Sequence, residues 1–328
     1  MTTTQDFTTP NSSGTTQRSF APGDRVLLCA VSWATGAPAF QLRINDEPST
    51  YVPVRGLSLT YSSRDGDTIR CIGHKPFRDA SAAWVDCDRT PLHDGNKCDR
   101  CAANDATFAS QLHHAHTRGA GELDAAVQSH LNQQNHLYLA AFRDGSIKVG
   151  TSTSHRLQTR LAEQGAWRAA VVASTSNGVT VRELEARVTD ELGIPQSVSA
   201  RRKLTGLVSP VPDVSLIEEL ARWRTGVQSL IASANLSDVE IPTETEPSAF
   251  WESPISGVRL WENVIEYPLK LKTGNHALDF LGASGRLCAF QRPGLDDQFV
   301  ADPRPLFGRE LVMAEVDPDE LTVQDSLF

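Results

Sequence analysis

The alternation of apolar and polar residues is clearest between residues 136 and 193. HLYLAAF is apolar with one aromatic residue, the pattern of a buried strand. Asp144-Gly145 follows, a strong hairpin signal because glycine tolerates positive φ. SIKVG then returns as the partner strand. Hydroxyl residues from Thr151 to Ser154 offer N-caps for a helix with Leu157 and Leu161 on one face. WRAAVVASTS predicts a third strand. Asn177, Gly178 and Thr180 open a second helix, VRELEARVTDEL, whose apolar stripe is Leu184, Val188 and Leu192 and which ends at Gly193 and Pro195. Glu185 neighbours that stripe. The segment therefore predicts strand, turn, strand, helix, strand and helix.

The flanks have different patterns. Residues 1–20 are rich in Thr, Ser and Gln, a composition that predicts a disordered tail. DRVLLCAVSW, AFQLRI, LSLTYSS and DTIRCIG predict a small antiparallel sheet over 21–72. Residues 71–135 hold a cysteine cluster and then two helices broken at Arg118-Gly119-Ala120-Gly121. SARRKLTG is basic and predicts a loop. VSLIEELARWRTGVQSLIASA predicts a long amphipathic helix with Leu216, Leu220, Trp223, Val227, Leu230 and Ile231 on one side; this trailing helix completes a domain over 136–240. TETEP (Thr243–Pro247) predicts a linker. Residues 241–328 alternate again between Gly and Pro turns, predicting a second β module that packs beside the N-terminal strands. The fold class is α+β, with a small mixed central sheet, flanking helices and β-rich ends.

Charge changes this picture locally. The chain of 328 residues carries a formal net charge of −9, so no global basic field draws it to nucleic acid. Yet residues 136–203 hold ten Lys/Arg against six Asp/Glu, enough to steer a phosphate backbone locally. No apolar run approaches the roughly 18 residues of a membrane span, and the N-terminus lacks the basic and apolar regions of a secretory signal. A cytoplasmic protein is expected, in which cysteines serve as metal ligands more often than as disulfides.

Cys98-Asp99-Arg100-Cys101 has the CxxC spacing that lets two thiolates grip one zinc ion from a tight knuckle. Cys71 and Cys87 would complete a tetrahedron, with His74 of Cys71-Ile72-Gly73-His74 as an alternative ligand. The intervening segment is polar and rich in turn residues and cannot build its own core, so a metal staple makes physical sense. A redox role for CxxC would need a thioredoxin-like setting, which this segment lacks. His113, His114 and His116 lie too close in sequence to face one ion from a helix and read as surface residues. Cys29 and Cys288 lie in apolar surroundings and read as core residues.

The order of the central segment, with Tyr138, Lys148, Arg160 and Glu185 at their spacing, resembles the GIY-YIG nuclease core. His136-Leu137-Tyr138 stands for the first triplet and Lys148-Val149-Gly150 for the second, so Lys148 replaces the second tyrosine. Arg160 matches the helix arginine, and Gln164 stands where many members carry histidine. Glu185 matches the metal-binding glutamate, with Glu183 as fallback. A cysteine cluster ahead of a KVGTS…R…EQGA core also resembles an uncharacterised bacterial family that extends this fold, which implies architecture and no activity.

The resemblance implies a Mg²⁺- or Mn²⁺-dependent endonuclease, and the weak global charge adds that it selects DNA by shape, branched or damaged, in DNA repair or damage resistance. Arg160 would clamp the phosphate through two parallel hydrogen bonds. Glu185 would hold the divalent ion, which suits one carboxylate plus waters. Tyr138 would accept the proton of the attacking water, its pKa lowered by the ion and basic neighbours, with Lys148 assisting or binding phosphate. Arg156, Arg168, Arg182, Arg201, Arg202 and Lys203 are candidate nucleic-acid contacts. The competing reading is a zinc-stapled binding or scaffold protein in which Tyr138 is a core aromatic, the arginines are surface charges and Glu185 pairs with Arg182.

Overall fold

The computed structural model describes residues 18–74, 84–91, 95–104, 125–234, 236–243 and 249–321. The chain forms β1 (Arg25–Ser32), β2 (Ala39–Ile44), β3 (Thr50–Pro53) and β4 (Ser58–Ser63), then α1 (Ala125–Leu131). The central unit follows: β5 (Asn135–Ala141), β6 (Ile147–Thr153), α2 (Leu157–Gln164), β7 (Arg168–Thr175) and α3 (Gly178–Leu192). Next come α4 (Ala200–Val208), α5 (Asp213–Ser233), β8 (Val239–Glu240) and β9 (Phe250–Glu252). The chain closes with β10 (Val264–Glu266), β11 (Gly274–Ser284), β12 (Leu287–Gln291), β13 (Gln298–Ala301) and β14 (Glu310–Val312). Among the described residues the architecture is α+β with three sheets.

Two sheets are built jointly from the two ends of the sequence. One has the order β14-β1-β2-β3 and the other β10-β13-β12-β11-β4. Thus β4 leaves its sequence neighbours and pairs antiparallel with β11, Ser58 opposite Asp279. The sheets share one core in which Phe40, Phe280, Phe290 and Phe299 meet; Phe40 and Phe280 pack edge to face at 5.0 Å. Each such buried ring contributes about 1.5–3 kcal/mol of transfer free energy. The predicted proximity of the chain ends is therefore realised as shared sheets.

The third sheet has the order β6-β5-β7-β8, and β9 also pairs with β7. All of its pairings are antiparallel, which corrects the expected mixed sheet; the parallel pair lies elsewhere, between β10 and β13. The hairpin forms as the Asp-Gly signal predicts, with Gly145 at φ 84°. Leu137, Leu139, Ala141 and Val149 face α3 and α5 through Leu184, Val188, Leu216, Leu220, Val227 and Ile231. Tyr138, Ala140 and Phe142 point to the other face, beneath Leu161 of α2. Because side chains alternate along β5, one face builds the core and the other is left for a site.

Three local expectations are corrected. SARRKLTG is not a loop: Ser199 caps α4 by accepting from the Arg202 N–H at 3.2 Å, and Leu204 and Leu207 are buried. DTIRCIG is not a strand; apart from one bridge between Ile69 and Arg309, it turns into the cysteine knuckle. On α5, Trp223 and Leu230 are only partly buried, whereas Arg224 is buried and donates to the carbonyls of Pro242 and Thr243. The tail over 1–17, the break at 118–121, His113, His114, His116 and most of the TETEP linker lie outside the described residues. Among the described residues, no helix is long and apolar enough to cross a membrane.

Candidate functional site

The face of the central sheet opposite α3 carries Tyr138 and Lys148. Tyr138 lies opposite Gly150 in the β5–β6 register, and Lys148 opposite Ala140. The Tyr138 ring lies across Gly150, where a Cβ would sit 2.6 Å from the phenol oxygen. Glycine is therefore required at position 150 by close approach, not by φ. Gly150→Ala should lower stability by about 1–3 kcal/mol, the usual cost of overpacking, measured by thermal unfolding. Adding Tyr138→Ala should make the pair cost less than the sum of its parts, because the clash is then gone.

Helix α2 crosses this face, ended by Gly165 in the left-handed region at φ 70°. Leu161 packs beneath it, while Arg160 and Gln164, one turn apart, reach the phenol. The Gln164 amide donates to the Tyr138 oxygen at 3.1 Å. Lys148 Nζ lies 5.9 Å from the Tyr138 ring centre and donates to the Gln196 carbonyl at 3.0 Å. Glu185 is buried on α3, and Arg182 donates to its Oε2 at 2.8 Å. Glu183, the fallback, is exposed.

Electrostatics ties these groups together. Burial raises the Tyr138 pKa; the Arg160 charge and the Gln164 hydrogen bond oppose it, and Glu185 adds to it. The phenol is thus held neutral, contrary to the lowered pKa expected for a tyrosine base. Lys148 is pushed down to about 8, chiefly by burial and then by the Arg160 charge, with Glu185 acting the other way. Tyr138, Lys148, Arg160 and Glu185 therefore share one electrostatic environment.

The candidate nucleic-acid contacts are placed differently. Arg156 pairs with Glu163 at 2.9 Å, Arg168 with Asp213 at 3.0 Å and also with Glu252, and Arg182 with Glu185. Arg201 pairs with Glu266, and Arg202 with Asp144 at 2.8 Å. Lys203 donates to the Gln164 carbonyl at 2.8 Å and lies over the Phe142 ring. Arg160 is exposed and has no ion pair among the described residues. Sequence reasoning missed Gln196, which holds Lys148 from 48 residues away with no motif to mark it.

The four cysteines Cys71, Cys87, Cys98 and Cys101 come together, all buried, with every sulfur within 4.8 Å of the others. None of the six cysteines is in a disulfide. A zinc ion with Zn–S bonds of about 2.3 Å would space tetrahedral sulfurs about 3.8 Å apart, and Cys87 and Cys98 are 3.9 Å apart. The donor set fits a thiophilic metal such as zinc. The backbone N–H groups of Gly73 and Cys98 point at the Cys71 sulfur, at 3.4 and 3.2 Å. His74 Nδ1 lies 3.3 Å from the Cys101 sulfur, so it sits as a hydrogen-bond partner outside the four-sulfur set. Gly73 has φ 84°, and a Cβ there would meet the Val85 carbonyl at 2.1 Å. Cys29 packs with Leu27, Ile72 and Trp84, its thiol pushed up to about 12 by burial. Cys288 is buried in the shared β core.

A family model described as a protein of unknown function, DUF2797, matches residues 59–253. The chain belongs to the DUF2797 family. No curated protein matches it, and no solved structure does. The DUF2797 span begins within β4 and ends just after β9. It therefore takes in both the four-cysteine cluster and the whole central sheet, and leaves outside β1 to β3 and the strands that follow β9.

Proposed function

We propose that this DUF2797 protein is a metal-dependent, structure-selective DNA endonuclease built on a GIY-YIG-like core, with a structural zinc ion on its four cysteines. The observation that carries this reading is the shared electrostatic environment of Tyr138 and Lys148 on the hairpin, Arg160 on α2 and Glu185 on α3. Arg160 is the exposed guanidinium beside the buried phenol, placed to clamp a phosphate that gains negative charge in the transition state. Glu185 would hold Mg²⁺ or Mn²⁺, sharing its carboxylate with Arg182; when bound, the ion polarises the phosphoryl oxygen. Tyr138, kept neutral by burial, orients the attacking water. Lys148, its pKa brought down to about 8 by burial, is better matched to take up the proton in its neutral form.

The ion pairs of Arg156, Arg168, Arg182, Arg201 and Arg202 favour a second reading, a zinc-stapled nucleic-acid-binding or scaffold protein with an inert core. Cleavage assays separate the two. Flap, bubble, crosslinked and plain duplex DNA are incubated with the protein and Mg²⁺ or Mn²⁺. The nuclease reading expects strand cuts that Glu185→Gln removes. Binding without cuts, or cuts undiminished in Glu185→Gln, rejects it.

A further inference from the structure

A cleft lies beside the candidate site, between the β5–β6 turn, α4 and the β11–β12 turn. It is lined by Phe142, Arg143, Gly165, Lys203, Leu207 and Ser284. Its floor is tight: a Cβ on Gly165 would touch the Gly285 N and Ser284 carbonyl at 3.2 Å, so the two turns meet backbone to backbone. The cleft is separated from Tyr138 by a single residue. Gln164 gives its side-chain amide to the Tyr138 phenol and its carbonyl to Lys203.

The lining of this cleft is cationic. Two lining residues are cations and none is acidic. Arg143 stacks on Trp167 at 4.4 Å and donates to the Trp261 carbonyl, with Asp213 and Glu262 acting on its charge from outside the lining, but its buried Nε–H has no acceptor among the described residues. Neither Arg143 nor Lys203 has an ion pair among the described residues. The neighbouring cations Arg202 and Arg286 pair with Asp144 and Asp302. An unsatisfied buried donor costs roughly 1–3 kcal/mol unless something accepts from it.

We infer that this cleft is a second phosphate subsite, which takes a backbone phosphate of the same strand beside the one held at Arg160. This rests on the endonuclease reading for its purpose but not for its test. The chemistry is that of an oxyanion received by a rigid guanidinium and an ammonium on a hydrophobic floor. Burial, then the Arg286 and Arg160 charges, pull Lys203 down to about 8, with Asp144 opposing. A bound anion relieves that crowding of positive charge.

The test is binding of a fluorescent single-stranded oligodeoxynucleotide to the full chain in Ca²⁺, read by anisotropy over a series of salt concentrations. Lys203→Gln should weaken binding about tenfold and lower the log–log salt slope by about one. Lys203→Arg, which keeps the charge, should retain both. An unchanged slope and affinity in Lys203→Gln overturns the subsite. So does equal loss in Lys203→Arg, because the residue then acts only by packing on Phe142 and Gln164. Half-displacement of the oligonucleotide by inorganic phosphate below about 1 mM also overturns it, in favour of a site for the free ion. If the protein cuts nothing yet shows the Lys203-dependent slope, the nuclease reading falls and the subsite stands. If it cuts, with slope unaltered in Lys203→Gln, the reverse holds.

Discussion

Removing the metal from the four-cysteine cluster, by a strong chelator or by Cys98→Ser, is expected to unfold the knuckle and leave the β cores standing. The reason is the scarcity of apolar partners there. Among the described residues of this region, Ile72 and, partly buried, Trp84 pack on Leu27 and Cys29. Two such contacts supply a few kcal/mol at about 1.5–3 each. Ordering costs about 1.5 kcal/mol per residue, so the segment cannot hold itself. Structural zinc binding in isolated fingers contributes about 10–16 kcal/mol, ample to reverse that balance. The cysteines belong to neither large hydrophobic core, so the loss should be local. Hydrogen exchange checks this. The amides of Cys71, Ile72 and His74, bonded to the carbonyls of Arg89, Asn96 and Val85, should lose about a thousandfold of protection, roughly 4 kcal/mol. Those of β1 and β2 should keep theirs. A chain that carries no zinc by elemental analysis and still protects Cys71 would refute the staple.

The cluster itself was legible because CxxC spacing is a local constraint, and so was the β5–β6 hairpin, because Asp144-Gly145 states its own turn. The long-range pairings were not. Nothing in the sequence of β4 says that it will leave β3 for β11, more than two hundred residues away; that choice is made by which apolar faces fit together. The α4 error has the same root. Arg201, Arg202 and Lys203 read as a basic loop of candidate nucleic-acid contacts, but on a helix they diverge to Glu266, Asp144 and the Gln164 carbonyl, three partners far apart in sequence. The expected basic surface dissolves for this reason as well: the carboxylates that pair Arg168 and Arg201 come from segments outside the hairpin-and-helix core. Within the core, the order and spacing located four polar residues that share one environment. They did not reveal that burial would hold Tyr138 neutral and bring Lys148 down.

That difference sets the kinetic expectation for the proposed nuclease. Arg160→Ala should lower kcat by about a hundredfold or more, near 3 kcal/mol, as for other lost transition-state clamps. Arg160→Lys should recover only part of this, since an ammonium cannot donate two parallel bonds. Lys148 gives the pH dependence. Its active form as a proton acceptor is the neutral amine, and burial sets its pKa at about 8. The fraction deprotonated therefore rises as pH climbs through 8, so kcat/KM should rise and level off above it. Lys148→Met should be slow and flat with pH. A profile that instead falls above pH 8 would make Lys148 a phosphate-binding cation and return proton transfer to another group. Arg160→Ala leaving the rate intact would remove the clamp on which the reading depends. Both outcomes are accessible from one set of single-turnover time courses, because chemistry is then measured apart from product release.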